Sequence, residues 1–327
     1  MVKTNLENVL MKIVFLDSLA LGNDLDLSGF SDFGDVAIYP TTAPHEIEDR
    51  VSDCDVLITN KVKLNGDVLA GAKNLKLICV TATGFDNIDI EYAKSRGIGV
   101  CNVVGYSTSN VAQITAGMVL ELINKTTEYR RSVASGRYTE CGVANILEPT
   151  YHEIDGLTWG IVGFGNIGRR VASVAEALGC RVLVNKRQPI ADFECVDIDT
   201  LCHKSDIITI HTPLNDETRG LINAERISLM KDGVILVNVA RGAVTDENSI
   251  AKAIKGGKIS GFGCDVYSCE PFSKEHPFYE IKEYDNVILT PHMAWGSYEA
   301  RVRLCNEVKQ NIVSFFAGEI RNRIDLK

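Results

Sequence analysis

The chain has 327 residues, 45% of them apolar and 24% charged, with 27 Gly and 8 Pro. At roughly 150 residues per domain this length suggests two domains, and the composition excludes disordered, collagen-like and coiled-coil chains. There are 34 Lys and Arg against 43 Asp and Glu, a net charge of −9, and no basic patch offsets it, so no nucleic-acid partner is expected. No stretch reaches the roughly 18 apolar residues of a membrane span, so no membrane association is expected either. The run Ile13-Val14-Phe15-Leu16 is interrupted at once by Asp17 and reads as a first strand rather than a signal peptide. The ten cysteines are scattered without a C-x-x-C pair, which points to reduced thiols and a cytoplasmic address.

Residues 1–10 precede a second methionine, Met11, and read as an extension. Short β-branched runs then alternate with helical stretches: Lys12–Leu16, Val36–Tyr39, Val56–Thr59, Leu77–Val80 and Ile98–Asn102 are predicted strands of a parallel sheet. From Ser109 to about Arg131, Val111, Ile114, Met118, Leu122 and Ile123 recur with helical spacing and predict one long helix. Ser135–Thr150, with Gly136, Gly142 and Pro149, reads as a connecting loop. A second alternating series follows, with six predicted strands at Thr158–Val162, Arg181–Val184, Ile207–His211, Val234–Val239, Gly261–Val266 and Val287–Thr290. Six strands separated by helices fit a doubly wound sheet made of two mononucleotide-binding halves. A final helical pattern runs through Arg301, Leu304 and Val308.

Gly163-Phe164-Gly165-Asn166-Ile167-Gly168 follows a predicted strand and opens a helix with Ile167, Val171, Val174, Ala175 and Leu178 on one face. In that context a G-x-G-x-x-G is a dinucleotide site. Its first glycine allows the tight turn, its second lets the backbone approach a pyrophosphate, and its third permits close helix packing, while the helix N-terminus offers N–H donors. An acid that would accept the ribose hydroxyls is expected after the next strand, but Asn185-Lys186-Arg187 stands there. Two cations suit a 2′-phosphate, so the sequence favours NADP(H) over NAD(H). His211, before Thr212-Pro213, either lines the cofactor pocket or merely ends a strand.

Arg241, Glu270 and His292 follow the fourth, fifth and sixth strands of this second series, so a doubly wound sheet would set them on neighbouring carboxyl ends, where ligands bind. A guanidinium fork matches a carboxylate, an imidazole exchanges protons near neutrality, and a carboxylate beside it stabilises its charged form. Singly each has a bland structural reading; together they point to an acid substrate and to proton transfer. No G-x-S-x-G, H-E-x-x-H or P-loop is present, and His45, His152, His203 and His276 form no metal-like cluster, so no metal is expected.

The motifs Gly163–Gly168, Asn238–Gly242, Asp265–Pro271 and Thr290–Trp295 resemble, in order, those of the D-isomer-specific 2-hydroxyacid dehydrogenases. Within that family the chain is most similar to the glycerate dehydrogenases or hydroxypyruvate reductases, through Asn60-Lys61, the turn Val80–Asn87, Gly105–Thr108 and Trp295. The resemblance implies a flavodoxin-like substrate domain of residues 1–108 plus 296–327, a Rossmann coenzyme domain of residues 109–295, and a homodimer. It implies Arg241, Glu270 and His292 as the catalytic set. For the cofactor it implies the glycine loop with Val111, His211, Thr212, Pro213, Thr218, Val239, Ala240 and Asp265, the last reaching the nicotinamide end; Lys186 and Arg187, read from their charge, join this set and depart from the acid of many relatives. For the substrate it implies Lys61, Thr81, Ala82, Thr83, Gly84 and Trp295, the turn at 81–84 offering backbone N–H groups to a carboxylate. Phosphoglycerate dehydrogenases carry an arginine where this chain has Val80, and formate dehydrogenases a glutamine where it has Glu270, so neither substrate is expected. The expected reaction is hydride transfer between NAD(P)H and a small 2-keto or 2-hydroxy acid, hydroxypyruvate/D-glycerate or glyoxylate/glycolate, with domain closure hinged near 106–110 and 295–297. The alternative is a dinucleotide-sensing regulator with little turnover.

Overall fold

A computed structural model describes residues 11–188 and 190–326; the extension expected at residues 1–10 lies outside them. The described chain divides into two compact units, one running to Ser107 and resuming at Gly296, the other Thr108–Trp295.

The first unit holds β1 (Met11–Phe15), β2 (Gly34–Ile38), β3 (Val56–Thr59), β4 (Leu77–Val80) and β5 (Gly99–Cys101) in one sheet ordered β2-β1-β3-β4-β5, every pairing parallel. This is the flavodoxin-like order. Central strands β3 and β4 are buried at every position, which is why they read as unbroken apolar runs and not as alternations.

The discontinuous part of this unit is stitched on by polar groups as well as by apolar packing. Helix Tyr298–Phe316 starts where the Ser297 side chain accepts the Ala300 N–H, and its fully buried Asn311 donates to the Asn102 carbonyl at 3.0 Å. Beyond it, Ile324 N–H donates to the Val100 carbonyl at 2.9 Å, and the Asp325 carboxylate accepts the Val100 N–H at 2.8 Å and both arms of Arg323.

The second unit holds β6 (Thr158–Val162), β7 (Arg181–Asn185), β8 (Glu194–Cys195), β9 (Ile207–Ile210), β10 (Val234–Asn238), β11 (Ile259–Cys264) and β12 (Val287–Leu289), ordered β12-β11-β10-β9-β6-β7-β8 and all parallel. The order reverses between β6 and β9, the switch point of a doubly wound sheet. Trp159, fully buried, donates its indole N–H to Thr209 Oγ1 at 3.1 Å across these two strands.

Three expectations need correction. The single helix expected over 109–131 is two, Thr108–Asn124 and Thr126–Ala134, separated by Lys125 at φ 51°. The first buries apolar residues as far as Ile123, whereas the second buries none, so no core contact holds one axis through the polar Asn124–Thr127 stretch. The loop expected over 135–150 contains a one-turn helix, Arg137–Glu140. The second sheet also gains β8, a two-residue strand too short to leave a pattern.

Asp325 gives this fold a pH-dependent element. Burial opposes its charge, but the Arg323 guanidinium and the Val100 N–H outweigh that and hold its carboxyl below the ordinary value. Its stabilisation is therefore present at neutral pH and is lost as pH falls through and below the usual carboxylate range. In urea unfolding at neutral pH, Asp325→Ala should cost about 1–3 kcal/mol, as expected for stranding a buried β5 N–H, and the gap between variant and native chain should narrow in acid.

Candidate active site

The glycine loop sits at the switch point and its spacing is enforced by steric contact. Gly163 leaves β6 at φ 90°, and a Cβ there would lie 2.6 Å from Thr212 N and 2.8 Å from the His211 carbonyl carbon. A Cβ on Gly168 would lie 2.3 Å from the Gly163 carbonyl oxygen. Gly165 faces open space and precedes helix Asn166–Ala177, whose N-terminus no side chain caps. These first-turn N–H groups and the helix dipole suit an anion.

His211, one residue beyond β9, adds a second observation. Both of its ring nitrogens are buried without a hydrogen-bond partner among the described residues, and burial pulls its pKa down to about 3. It is therefore a neutral ring with one unserved donor and one unserved acceptor. An uncapped helix end beside an orphaned imidazole fits a bound dinucleotide. Thr218 closes the neighbouring turn, its hydroxyl donating to the Pro213 carbonyl at 2.7 Å and accepting the Asn215 N–H at 2.8 Å. Val111 is buried in helix Thr108–Asn124, while Val239 and Ala240 are half-buried just past β10.

At the end of β7, Asn185, Lys186 and Arg187 line a cavity of about 260 Å³ together with Cys195, Val196 and Asp197. The Lys186 and Arg187 side chains are exposed, and Arg187 pairs with Glu217.

Arg241, Glu270 and His292 follow the ends of β10, β11 and β12, three adjacent strands. Asn238 ends β10 and shapes the turn to Arg241, its side chain accepting the Ala240 N–H and donating to the Arg241 carbonyl, both at 3.0 Å. A Cβ on Gly242 would lie 2.0 Å from the Tyr267 carbonyl carbon, so the Arg241 turn lies directly against the loop that carries Glu270. That loop in turn holds the histidine: Glu270 Oε2 lies 2.7 Å from His292 Nδ1, and Glu270 Oε1 accepts the Tyr267 N–H at 3.0 Å. The two side chains are 29% and 21% exposed, shielded enough for the bond to count yet open enough to meet a ligand.

His292 adopts φ 54°, a left-handed conformation uncommon outside glycine. Asp265, 1% exposed, maintains it by accepting Thr290 Oγ1–H at 2.6 Å, Met293 N–H at 2.8 Å and Ala294 N–H at 2.9 Å. Burial pushes the Asp265 carboxyl up, against the pull of these three bonds. The family resemblance implies a nicotinamide contact for Asp265, and in the structure its two oxygens accept bonds from the turn that presents His292. Trp295, two residues past Met293, is half-buried.

In the other unit, Lys61 and Thr81–Gly84 follow adjacent strands β3 and β4. Asp17 accepts the Asn60 and Lys61 N–H groups at 2.9 and 2.7 Å. Buried Asn60 donates to the Thr81 carbonyl at 2.7 Å and to its Oγ1 at 3.0 Å, and Thr83 Oγ1 donates to the Val103 carbonyl at 2.8 Å. Asp17 is a structural support that no spacing in the sequence marks, because the Asn60 and Lys61 amides it holds are more than forty residues away.

The family described as D-isomer specific 2-hydroxyacid dehydrogenase, NAD binding domain, matches residues 116–294. The chain is 34% identical over 324 residues to a hydroxypyruvate reductase of Blautia hydrogenotrophica, covering 96% of this chain and 100% of that protein. It is 35% identical over 315 residues to a glycerate dehydrogenase of Methylorubrum extorquens, covering 96% and 99%. Among solved structures, D-lactate dehydrogenase from Aquifex aeolicus, complexed with NAD and lactic acid, is similar at TM-score 0.83 and 30% identity, covering 96% of this chain and 99% of that one. With its glycine loop at the switch point and its imidazole–carboxylate pair on the neighbouring strand ends, the chain belongs to the D-isomer-specific 2-hydroxyacid dehydrogenases and is an oxidoreductase of that family.

Proposed function

We propose that the protein is an NADPH-preferring reductase of a small 2-keto acid, with hydroxypyruvate as the best substrate and glyoxylate next. The observation that carries the reading is the 2.7 Å bond between His292 Nδ1 and Glu270 on a strand end adjoining Arg241. When bound, the nicotinamide supplies the hydride that reduces C2 of the keto acid. As the C–H bond forms, the carbonyl electron pair moves onto oxygen, which takes a proton from His292 Nε2. Glu270 accepts the Nδ1–H, which fixes the tautomer and leaves Nε2 directed to substrate. Arg241 grips the substrate carboxylate as a two-pronged donor and helps polarise the carbonyl. The turn Thr81–Gly84 and Lys61 are assigned to the substrate's anionic end, and Trp295 to its side chain. Hydroxypyruvate is favoured because the relatives named above are a hydroxypyruvate reductase and a glycerate dehydrogenase, and because Val80 supplies no cation for a phosphate.

The cofactor preference rests on Lys186 and Arg187, which stand where an acid would accept the ribose hydroxyls of NAD. A 2′-phosphate in the adjoining cavity would replace Glu217 as the partner of Arg187. The ten cysteines, none of them disulfide-bonded, suit a reducing cytoplasm. Among the described residues, no helix is long and apolar enough to cross a membrane. A homodimer is what the family resemblance implies, and the exposed apolar side chains Val133, Val143 and Leu147, at 62%, 60% and 67%, are the ones assigned to its interface.

Four outcomes test this reading. In initial-rate measurements on hydroxypyruvate, glyoxylate, pyruvate and phosphohydroxypyruvate, hydroxypyruvate with NADPH should give the highest kcat/KM. Replacing Lys186 and Arg187 together by Ala should raise the KM for NADPH by roughly tenfold or more, the worth of one charge-assisted hydrogen bond, and leave that for NADH nearly unchanged; a wide native preference for NADH overturns the assignment. His292→Ala should retain cofactor binding by fluorescence titration but lose about 10²-fold or more in turnover, as a missing general acid would. Sedimentation at micromolar concentration should give a dimer, and Leu147→Asp should shift it toward monomer.

A further inference from the structure

Behind Glu270 lies a buried polar cluster that the proposed reaction does not use. Glu247 is the first residue of helix Glu247–Lys255 and is only 8% exposed. Its Oε1 accepts the Ser268 N–H at 2.8 Å, and its Oε2 accepts the Ser268 hydroxyl at 2.5 Å. His276 Nε2 lies 3.0 Å from the same Oε2. The tautomer of that ring follows from its other side: His276 Nδ1 accepts the Phe278 N–H at 3.2 Å, so the proton of the neutral ring is on Nε2 and points at Glu247.

Three donors thus converge on one buried side chain: an amide N–H, a hydroxyl and an imidazole N–H. Only an acceptor-only group serves all three, because an amide would turn an NH₂ against at least one of them. Burying a carboxylate is costly unless it is fully hydrogen-bonded, and here it is used to grip a single residue by both its backbone and its side chain.

The gripped residue is two positions before Glu270. From the same loop, Tyr267 donates its N–H to Glu270 Oε1 at 3.0 Å and its hydroxyl to the Thr290 carbonyl at 2.9 Å, and Gly242 packs against Tyr267 and Ser268 too closely to admit a Cβ. The loop is therefore held at Ser268, at Tyr267 and against the Arg241 turn, with Glu270 projecting from it. We propose that Glu247, buttressed by His276, is a positioning residue for the reaction: its clamp on Ser268 sets the Glu270 carboxylate at bonding distance from His292 Nδ1 and keeps it there through turnover. This rests on the reading of His292 as proton donor and of Glu270 as its partner.

The isosteric variant Glu247→Gln in the full-length protein tests it, assayed beside Glu270→Gln, Ser268→Ala and the Glu247→Gln/Glu270→Gln double variant. Readouts are kcat and KM for hydroxypyruvate reduction by NADPH, the pH profile of kcat/KM, NADPH affinity by fluorescence, and thermal midpoint. Glu247→Gln should lower kcat by roughly 10- to 100-fold, the scale of a small misplacement of a catalytic group, with NADPH affinity unchanged. Because reduction needs protonated His292, loosening Glu270 should move the alkaline limb to lower pH, in the direction that Glu270→Gln moves it. Asp265, the other carboxylate beside His292, keeps its bonds to the Met293 and Ala294 amides in every variant. Ser268→Ala, which loses one of the two bonds, should show the same shift in weaker form. The double variant should be no slower than Glu270→Gln alone, because the two act through one step.

A Glu247→Gln enzyme with the native pH limb overturns the proposal even if it melts earlier, as does a loss that adds in full to that of Glu270→Gln. If Glu270→Gln and His292→Ala keep native turnover, it is the assignment of the catalytic pair that fails. If Glu270→Gln is impaired while Glu247→Gln behaves as the native enzyme, only the positioning role falls.

Discussion

The hydrogen bond between His292 Nδ1 and Glu270 is the contact around which the coenzyme-binding unit is organised. An imidazole alone exchanges protons in either tautomer and either orientation; a carboxylate fixed on one nitrogen selects which nitrogen faces the substrate. Fixing it demands rigidity on both sides of the bond. His292 stands in a left-handed turn held by the three bonds of Asp265. Glu270 stands on a loop held through Tyr267 and Ser268. Two buried carboxylates thus support a third that is half-open to ligand, and the cost of burying them is met by saturating their oxygens with hydrogen bonds.

The parallel sheet supplies what these local bonds cannot. Strands β10, β11 and β12 run parallel to one another, so their carboxyl ends form a row, and whatever follows each strand emerges on the same edge. Arg241, Glu270 and His292 need only follow three consecutive strands to be gathered. The glycine loop uses the same edge at the reversal of strand order, where Gly163 and Gly168 remove the Cβ atoms that would collide with Thr212 and with the Gly163 carbonyl. The orphaned His211 lies just past the neighbouring strand, its charge suppressed by burial. A neutral ring there can serve a dinucleotide without adding a positive charge to a site whose anion-binding capacity comes from helix N–H groups.

The first unit repeats the logic at smaller scale. Its Thr81–Gly84 turn is not a loose loop, because Asn60, itself anchored beside the Asp17 clamp, ties it to the end of β3. The chain's last residues complete that sheet's edge through Ile324 and Asp325 on Val100, so the discontinuous segment is part of the unit's hydrogen-bond ladder and not an appendage to it.

Much was legible in the sequence alone. Apolar runs such as Val56–Thr59 and Ile207–Ile210 mark buried parallel strands, the glycine spacing marks the helix that follows β6, and Arg241, Glu270 and His292 are exposed to inference because each follows a strand signal. These are local properties, set by side-chain period and by the absence of a Cβ. What the tertiary structure alone decided is non-local. The break at Lys125 depends on where the buried face of a helix ends; the two-residue β8 depends on a neighbour to pair with; Asp265 turned out to hold the His292 turn because donors 25 to 29 residues away reach it. Glu247 and His276, 29 residues apart, form no pattern in one dimension, and only the folding of helix, loop and strand against one another makes a carboxylate, a hydroxyl and an imidazole into a single clamp. Sequence period reports which face a residue presents, whereas hydrogen-bond partnership between distant residues exists only once the chain has closed on itself.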